Sequence, residues 1–349
     1  MKKIFFLGGT GYVGGPILST FFERQRDNPD LDITVLVRSS VKVEKLRALN
    51  LRLNVVHGSH EDADLVERLA ADADVVFSLA DSDYLPAIQA VLRGLQRRFH
   101  TTGIKSVLIH MSGTGCLADD TQGTYSSIIH SDTDIAMIES LPVTQLHRHV
   151  DVTVVEADSA GVSSCLFHIC APQNKETNAG YVETYIVLPP VVYGTPKGLL
   201  FDMGVQNTGN TMLDLFIGVS TVRGAAPILG EGNNLFGHVD VTELHDFVLL
   251  FYDTVVNNPA AVKHGRHGYY FANSGDISLY KVTEVLESRV GPRRAFTQEE
   301  LAGMDHYHAQ AMLFFARNWR SRADKARALG WKPMKTAEDF LEAVKTWKL

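Results

Sequence analysis

Hydrophobic positions along the first half of the chain fall into two alternating patterns. Short continuous runs, Lys3–Leu7, Asp32–Arg38, Leu53–Val56, Val75–Ala80, Ser106–Met111 and Glu183–Leu188, read as strands rich in β-branched residues. Between them apolar residues recur at helical spacing. Ile17, Leu18, Phe21 and Phe22 mark a first helix, residues Asp62–Ala71 a second, and Tyr84–Phe99 a third. Runs buried on both faces and separated by helices predict a doubly wound parallel α/β sheet with right-handed crossovers.

The second half is less regular. Gly237-His238-Val239-Asp240-Val241 reads as a return strand, and Leu279–Val290, Ala309–Phe315 and Ala337–Trp347 have helical spacing. Gly-, Asn- and Asp-rich sequence between Gly198 and Asn234 reads as irregular structure. The expected division is a Rossmann domain over 1–195, with return sequence near 237–275, and a smaller lobe from 196–236 and 276–349.

The first strand ends in Gly8-Gly9-Thr10-Gly11-Tyr12-Val13-Gly14, so three glycines stand three apart where a strand turns into a helix. In that setting Gly8 permits the tight turn, Gly11 lets backbone approach a pyrophosphate, and Gly14 allows close packing of helix and strand. Tyr12 and Val13 complete the loop. The following helix start offers N–H groups and a positive dipole end to phosphates. These residues form the candidate cofactor site.

The second strand ends in Arg38, where an acid would bond a ribose 2′-hydroxyl and a cation favours a 2′-phosphate. NADP is therefore expected in preference to NAD. Ser59, after the third strand, stands where the adenine edge is met.

Composition narrows the partners. Hydrophobic residues make up 45% and charged residues 21%, as in ordinary globular proteins, and the net charge of −7 speaks against nucleic acid or an anionic membrane as partner. Because the first strand starts at the N-terminus no signal peptide is expected, and no apolar run approaches the ~18 residues of a membrane span. Cys116, Cys165 and Cys170 suit neither a disulfide framework nor a metal site. A cytoplasmic protein is expected, acting on a small molecule, with a homodimer left open.

From end to end the chain resembles the extended short-chain dehydrogenase/reductases, the NAD-dependent epimerase/dehydratase family. The glycine loop, Ala80, Met111-Ser112-Gly113-Thr114, Leu188-Pro189-Pro190-Val191-Val192-Tyr193-Gly194, Gly237–Val241 and Ala328-Leu329-Gly330-Trp331-Lys332-Pro333 carry the resemblance, in the family's order. It implies a nicotinamide dinucleotide in the Rossmann domain, with Ala80 and Pro189 against it, and a C-terminal substrate lobe.

The resemblance also implies a serine or threonine after the fifth strand and a Tyr-x-x-x-Lys pair on the helix before the sixth. That pair is missing. Its literal match, Tyr193-Gly194-Thr195-Pro196-Lys197, contains residues that break a helix. The helix slot instead carries His147 and Asp151, four apart, the spacing of the missing pair. His147 is expected to transfer the proton with Asp151 behind it, and Arg148 could anchor an anion. Ser112 and Thr114 flank Gly113, which takes the usual serine position, and either hydroxyl could still hydrogen-bond a substrate oxygen. Tyr125 and Tyr193 are further proton donors to consider. Residues 162–180 read as an insertion.

The leading expectation is an NADP-dependent oxidoreductase acting on a small, apolar metabolite. An epimerase, isomerase or cyclase using the cofactor transiently or structurally is the alternative within catalysis. A non-catalytic dinucleotide sensor, similar to the NmrA-like regulators, is the alternative outside it.

Overall fold

The computed structural model describes residues 1–49, 52–159 and 180–347. The chain runs through β1 (Lys2–Leu7), β2 (Leu31–Val37), β3 (Leu53–His57), β4 (Val75–Ser78), β5 (Ser106–Met111), a two-residue β6 (His130–Ser131) and β7 (Val182–Leu188). It continues through β8 (Val191–Tyr193), β9 (Pro227–Ile228), β10 (Leu235–Asp240), β11 (Tyr269–Phe271), β12 (Gly275–Ser278), β13 (Arg294–Ala295) and β14 (Ser321–Arg322).

Seven of these strands form a parallel sheet in the order β11-β7-β5-β4-β1-β2-β3. The expected doubly wound α/β fold is therefore the observed one. The six expected strands are present, the fourth ending at Ser78 rather than Ala80. The expected strand at 237–241 takes another place. As β10 it pairs with β8 and, antiparallel, with β12 in a separate three-stranded sheet, while Tyr269–Phe271 supplies the seventh strand of the main one.

Helices α1 (Gly14–Asp27), α2 (Ser40–Ala48), α3 (Ala63–Ala70) and α4 (Leu85–Thr102) make the first crossovers. Between β5 and β7 lie α5 (Ile135–Ser140) and α6 (Arg148–Ser159). The remainder are α7 (Leu199–Asp202), α8 (Thr211–Arg223), α9 (Val241–Asn257), α10 (Leu279–Val290), α11 (Gln298–Ala302), α12 (His306–Phe314), α13 (Asp324–Ala328) and α14 (Ala337–Thr346).

Aromatic packing ties helices to sheet. Phe6 of β1 stacks on Phe77 of β4 at 4.8 Å, and Phe21 of α1 meets both edge-on, at 5.3 and 5.4 Å. Burying each such ring stabilises the fold by about 1.5–3 kcal/mol. That packing fixes α1 against the sheet and with it the position of the glycine loop.

Strand order reverses between β1 and β4. In an open parallel sheet a ligand crevice forms outside the C-terminal strand ends at such a reversal. The second lobe sits beyond those ends, where Phe236 of β10 stacks on Trp319 at 4.9 Å. Two short ladders, β6 with β14 and β9 with β13, fasten the C-terminal sequence to earlier parts of the chain.

Residues 162–180, read as an insertion, lie outside the described residues except for Gly180, as do Cys165 and Cys170. Cys116 is buried and free. No described helix is long and apolar enough to cross a membrane, and no cluster of metal-ligating side chains occurs among the described residues.

Candidate active site

The glycine loop has the geometry its spacing predicts. Gly8 has φ +93°, and a Cβ there would lie 2.5 Å from the backbone of Leu79, just beyond β4. A Cβ at Gly14 would lie 2.2 Å from the Gly8 carbonyl oxygen. Neither site tolerates a side chain, so β1, β4 and α1 meet more closely than other residues allow. Gly11 differs. Its only close neighbour would be the Gly8 carbonyl at 3.1 Å, so its outer face is open. No side chain caps the start of α1. Open backbone beside an uncapped helix start fits a diphosphate.

Tyr12 is buried, and its hydroxyl donates to the Gly194 carbonyl at 2.7 Å, so the ring braces the loop against the second lobe. Asn207 does the same from the other side, its N–H donating to the Thr10 carbonyl at 3.0 Å. Val13 occupies the N-cap of α1. Ala80 is exposed just past β4, and Ser59 is partly buried, its hydroxyl accepting from the Glu61 N–H at 3.2 Å.

Arg38 is exposed at the end of β2. One turn into α2 stands a second cation that the sequence reading missed. Burial, reinforced by the Arg38 charge, pulls the Lys42 ammonium below its usual range, so the two cations crowd one place. Lys42 Nζ donates to Asn207 Oδ1 at 2.8 Å. The missed signal was the spacing of Arg38 and Lys42 across the strand-to-helix turn.

At the other end of the crevice the structure corrects the pairing of His147. The helix begins at Arg148, one residue later than the spacing argument needs, and His147 precedes it in the left-handed region with φ 65°. Its partner is Asp83, in the loop between β4 and α4. The His147 N–H donates to Asp83 Oδ1 at 2.8 Å, and ring Nδ1 lies 2.9 Å from Asp83 Oδ2. The unusual φ lets one residue grip one carboxylate twice, through backbone and ring. Ser82 Oγ lies 3.1 Å from the same Nδ1.

Burial works against the Asp83 carboxylate, but the bonds from the His147 ring and N–H, with the charges of His147 and His149, outweigh it and hold its pKa below the usual value. An ionised Asp83 only accepts, so Nδ1 carries the proton and Nε2 is free for chemistry. Nε2 faces the end of β5. A Cβ on Gly113 would lie 3.0 Å from Nε2 and 3.6 Å from the Pro189 carbonyl oxygen. Gly113 thus makes room for the imidazole where the resemblance expects a serine.

Asp151 is not behind His147 as expected. It is fully buried on α6, and among the described residues its carboxylate accepts no hydrogen bond of ordinary geometry and the Ser112 hydroxyl facing it has no bonded partner either. Burial raises its pKa to about 6, partly offset by Ser112 and by the charges of His147 and Arg148. The Thr114 hydroxyl is likewise buried and unbonded. Arg148 is no open anion anchor, because its guanidinium is buried and donates to the Tyr269 hydroxyl at 2.5 Å. Tyr125 is 55% exposed beside Arg320 and touches none of these groups. Tyr193 is buried against Phe340, its hydroxyl unbonded.

The fold has counterparts among solved structures. A UDP-glucose 4-epimerase from Thermotoga maritima, solved with UDP-glucose, superposes with a TM-score of 0.57 over 98% of this chain and 97% of that one, at 15% identity. A dTDP-glucose 4,6-dehydratase from Bacillus anthracis, solved with NAD, gives 0.56 over 99% and 96%, at 14% identity. The chain has the fold of the NAD-dependent epimerases and dehydratases, the extended short-chain dehydrogenase/reductase fold. In sequence it is similar to the oxidase ucsJ of Acremonium sp., 26% identical over 348 residues that span 95% of this chain and 93% of that protein. No protein-family profile matches the chain. The loops after β1, β4, β5 and β7 follow one another along one edge of the sheet, with His147 against those after β5 and β7.

Proposed function

We propose that the protein is an NADP-dependent oxidoreductase in which His147, held by Asp83, moves the proton. The observation that carries the reading is the placement of His147 Nε2 against Gly113 and Pro189, at the strand ends beyond the glycine loop. Similarity to an oxidase over nearly the whole chain supports a redox reaction.

A nicotinamide dinucleotide supplies hydride acceptance and donation when bound. Gly8, Gly11 and Gly14 with the start of α1 would hold its diphosphate, and Arg38 with Lys42 would hold a 2′-phosphate. The solved relative quoted above carries NAD, so the two cations after β2 are what favours NADP here. In the oxidising direction the carbinol carbon gives up its hydrogen as hydride while the hydroxyl proton passes to His147 Nε2, leaving a carbonyl. In the reducing direction Nε2–H returns the proton to the carbonyl oxygen. Asp83 fixes the ring tautomer and stabilises the imidazolium that forms, without itself taking the proton.

The experiment is stoichiometric. Incubated with NADP and a panel of neutral secondary alcohols, the protein should form one NADPH per carbonyl produced. An epimerase would return the hydride and accumulate no NADPH, and a sensor would bind NADP without consuming any member of the panel.

A further inference from the structure

A cavity in the described structure lies away from the glycine loop. About 650 Å³ in volume, it lies between α8 and the α11–α12 segment of the second lobe, and neither the glycine loop nor His147 is among its walls. That volume is in the range of small-molecule sites.

One wall is a face of α8 that the fold does not use. Leu213, Phe216, Ile217 and Ser220 bury the core side of this helix. Leu215, Gly218, Val219 and Val222 form a second stripe, at positions i, i+3, i+4 and i+7, which lines the cavity. Val222 is 92% exposed. Phe296 and Met304 supply the opposite wall.

Gly218 decides what the stripe is for. A glycine inside a helix lowers stability relative to alanine. Among the described glycines Gly218 alone has neither a positive φ nor any atom within 4 Å of where its Cβ would stand. Gly94, in the middle of α4, shows the ordinary reason, since a Cβ there would lie 2.4 Å from the Glu67 carbonyl. No described part of the protein requires a glycine at 218. What it preserves is open cavity.

The polar rim indicates the charge of the occupant. Arg223 is committed to Glu300, with Nε to Oε1 at 2.9 Å and Nη2 to Oε2 at 3.0 Å, and to the carbonyls of Arg294 and Ala295. His308 pairs with Asp305 at 2.6 Å, and Asp214 accepts from the Trp347 indole at 2.7 Å. Each charge is already satisfied, and no wall residue is left to meet a diphosphate. Helix α12 connects this cavity to the proposed chemistry. His308 lines the cavity, and about 9 Å further along the axis the Phe314 ring lies 3.2 Å from the point where a Gly115 Cβ would stand, with His147 Nε2 3.4 Å from that same point.

We infer that the cavity binds the body of a neutral, apolar substrate whose reacting oxygen reaches His147 past the end of α12. The class differs from the charged nucleotide sugars named for the solved relatives. That the ligand is a substrate rests on the oxidoreductase reading; that the cavity binds an apolar ligand does not.

The test uses N-phenyl-1-naphthylamine, a neutral fluorescent probe, with the full-length protein. Saturable one-to-one binding is expected. Gly218→Leu should weaken it by roughly tenfold or more, as a side chain entering a filled pocket does. Gly218→Ala should raise the thermal midpoint while weakening the probe severalfold, a pairing that a merely structural glycine would not give. Both variants should keep the parent's affinity for NADPH, and His147→Ala should bind the probe normally, so failure of the redox reading is seen separately. No saturable binding, or binding unchanged in both Gly218 variants, would overturn the proposal. So would a Gly218→Leu protein altered only in oligomeric state, which would make the cavity a subunit contact.

Discussion

The glycine loop follows β1, the His147 site lies two and three strands along the same sheet edge at β5 and β7, and the two are built from contacts of different range. The turn itself is closed within residues 8–15, by Gly11 N–H on the Gly8 carbonyl and Gly15 N–H on the Gly11 carbonyl, each 2.9 Å, and distant residues (Leu79, Gly194, Asn207) only pack and brace it. His147 is held by residues 64 and 65 positions away, Asp83 and Ser82, and faces Gly113 and Pro189 on two further loops. A local motif is specified by its own spacing. A site assembled across three strand ends exists only after the sheet has formed, and its members can change identity together, as His147 and Gly113 have where the resemblance expects tyrosine and serine.

Breaking the local end should have the largest effect. Gly11→Val places a side chain in the space open for a diphosphate, while its one close contact, 3.1 Å to the Gly8 carbonyl, needs a shift of only a few tenths of an ångström. Calorimetry should find no dinucleotide binding in a protein whose circular dichroism is unchanged. Full affinity in the folded variant would make the loop a structural turn.

At the distant end binding and chemistry should separate. His147→Ala should lower kcat by roughly 10²–10⁴, the contribution of a positioned acid or base, with NADPH affinity retained. Asp83→Asn leaves the ring in place without the carboxylate that fixes its tautomer, and kcat should fall by roughly tenfold to a hundredfold. If Asp83→Asn turned over normally while Asp151→Asn did not, the original helix pairing would be restored.

Cofactor choice lies past the glycine loop, at the end of β2 on the side away from His147. Arg38→Ala and Lys42→Ala should each reduce the preference for NADPH over NADH by roughly tenfold, since a charge-assisted bond to a phosphate contributes about 1.5–3 kcal/mol. NADH affinity should barely change. A parent protein with equal affinity for both cofactors would remove the role given to these cations.

A further effect concerns stability and not activity. The folded pKa of Asp151, about 6, lies above the ordinary carboxylate value near 3.8. Below pH ~4 both states are protonated and the residue contributes no difference. As pH rises from about 4 to 6 the unfolded chain ionises first and the fold loses roughly 2–3 kcal/mol. Asp151→Asn, which carries no charge to bury, should therefore be more stable than the parent at pH 7, with the gap in urea midpoint closing toward pH 4. A gap independent of pH would mean that the carboxylate is ionised throughout.

The sequence disclosed what depends on periodicity and short spacing. Six strands, the glycine turn and Arg38 could each be read from a window of a few residues. His147 drew notice as a titrating side chain, but counting four residues along an assumed helix paired it with Asp151 where the structure pairs it with Asp83, because the helix starts one residue late and His147 is left-handed. Asp83 did carry a signal, since Ala80-Asp81-Ser82-Asp83 directly follows a strand beside the reversal of strand order, where loops converge on a ligand. The cavity had only the double apolar stripe of α8 to announce it. Periodicity cannot say which of two apolar faces meets the core.

The most direct measurement is a crystal structure of the protein with NADP bound. The account predicts the diphosphate on Gly11 and the start of α1, the 2′-phosphate between Arg38 and Lys42, and His147 Nε2 at the nicotinamide end of the crevice, within hydrogen-bond reach of a water or ligand oxygen over the ring, with Nδ1 still on Asp83. A nicotinamide lying elsewhere, or an imidazole turned away from it with the Asp83 bond broken, would contradict the account.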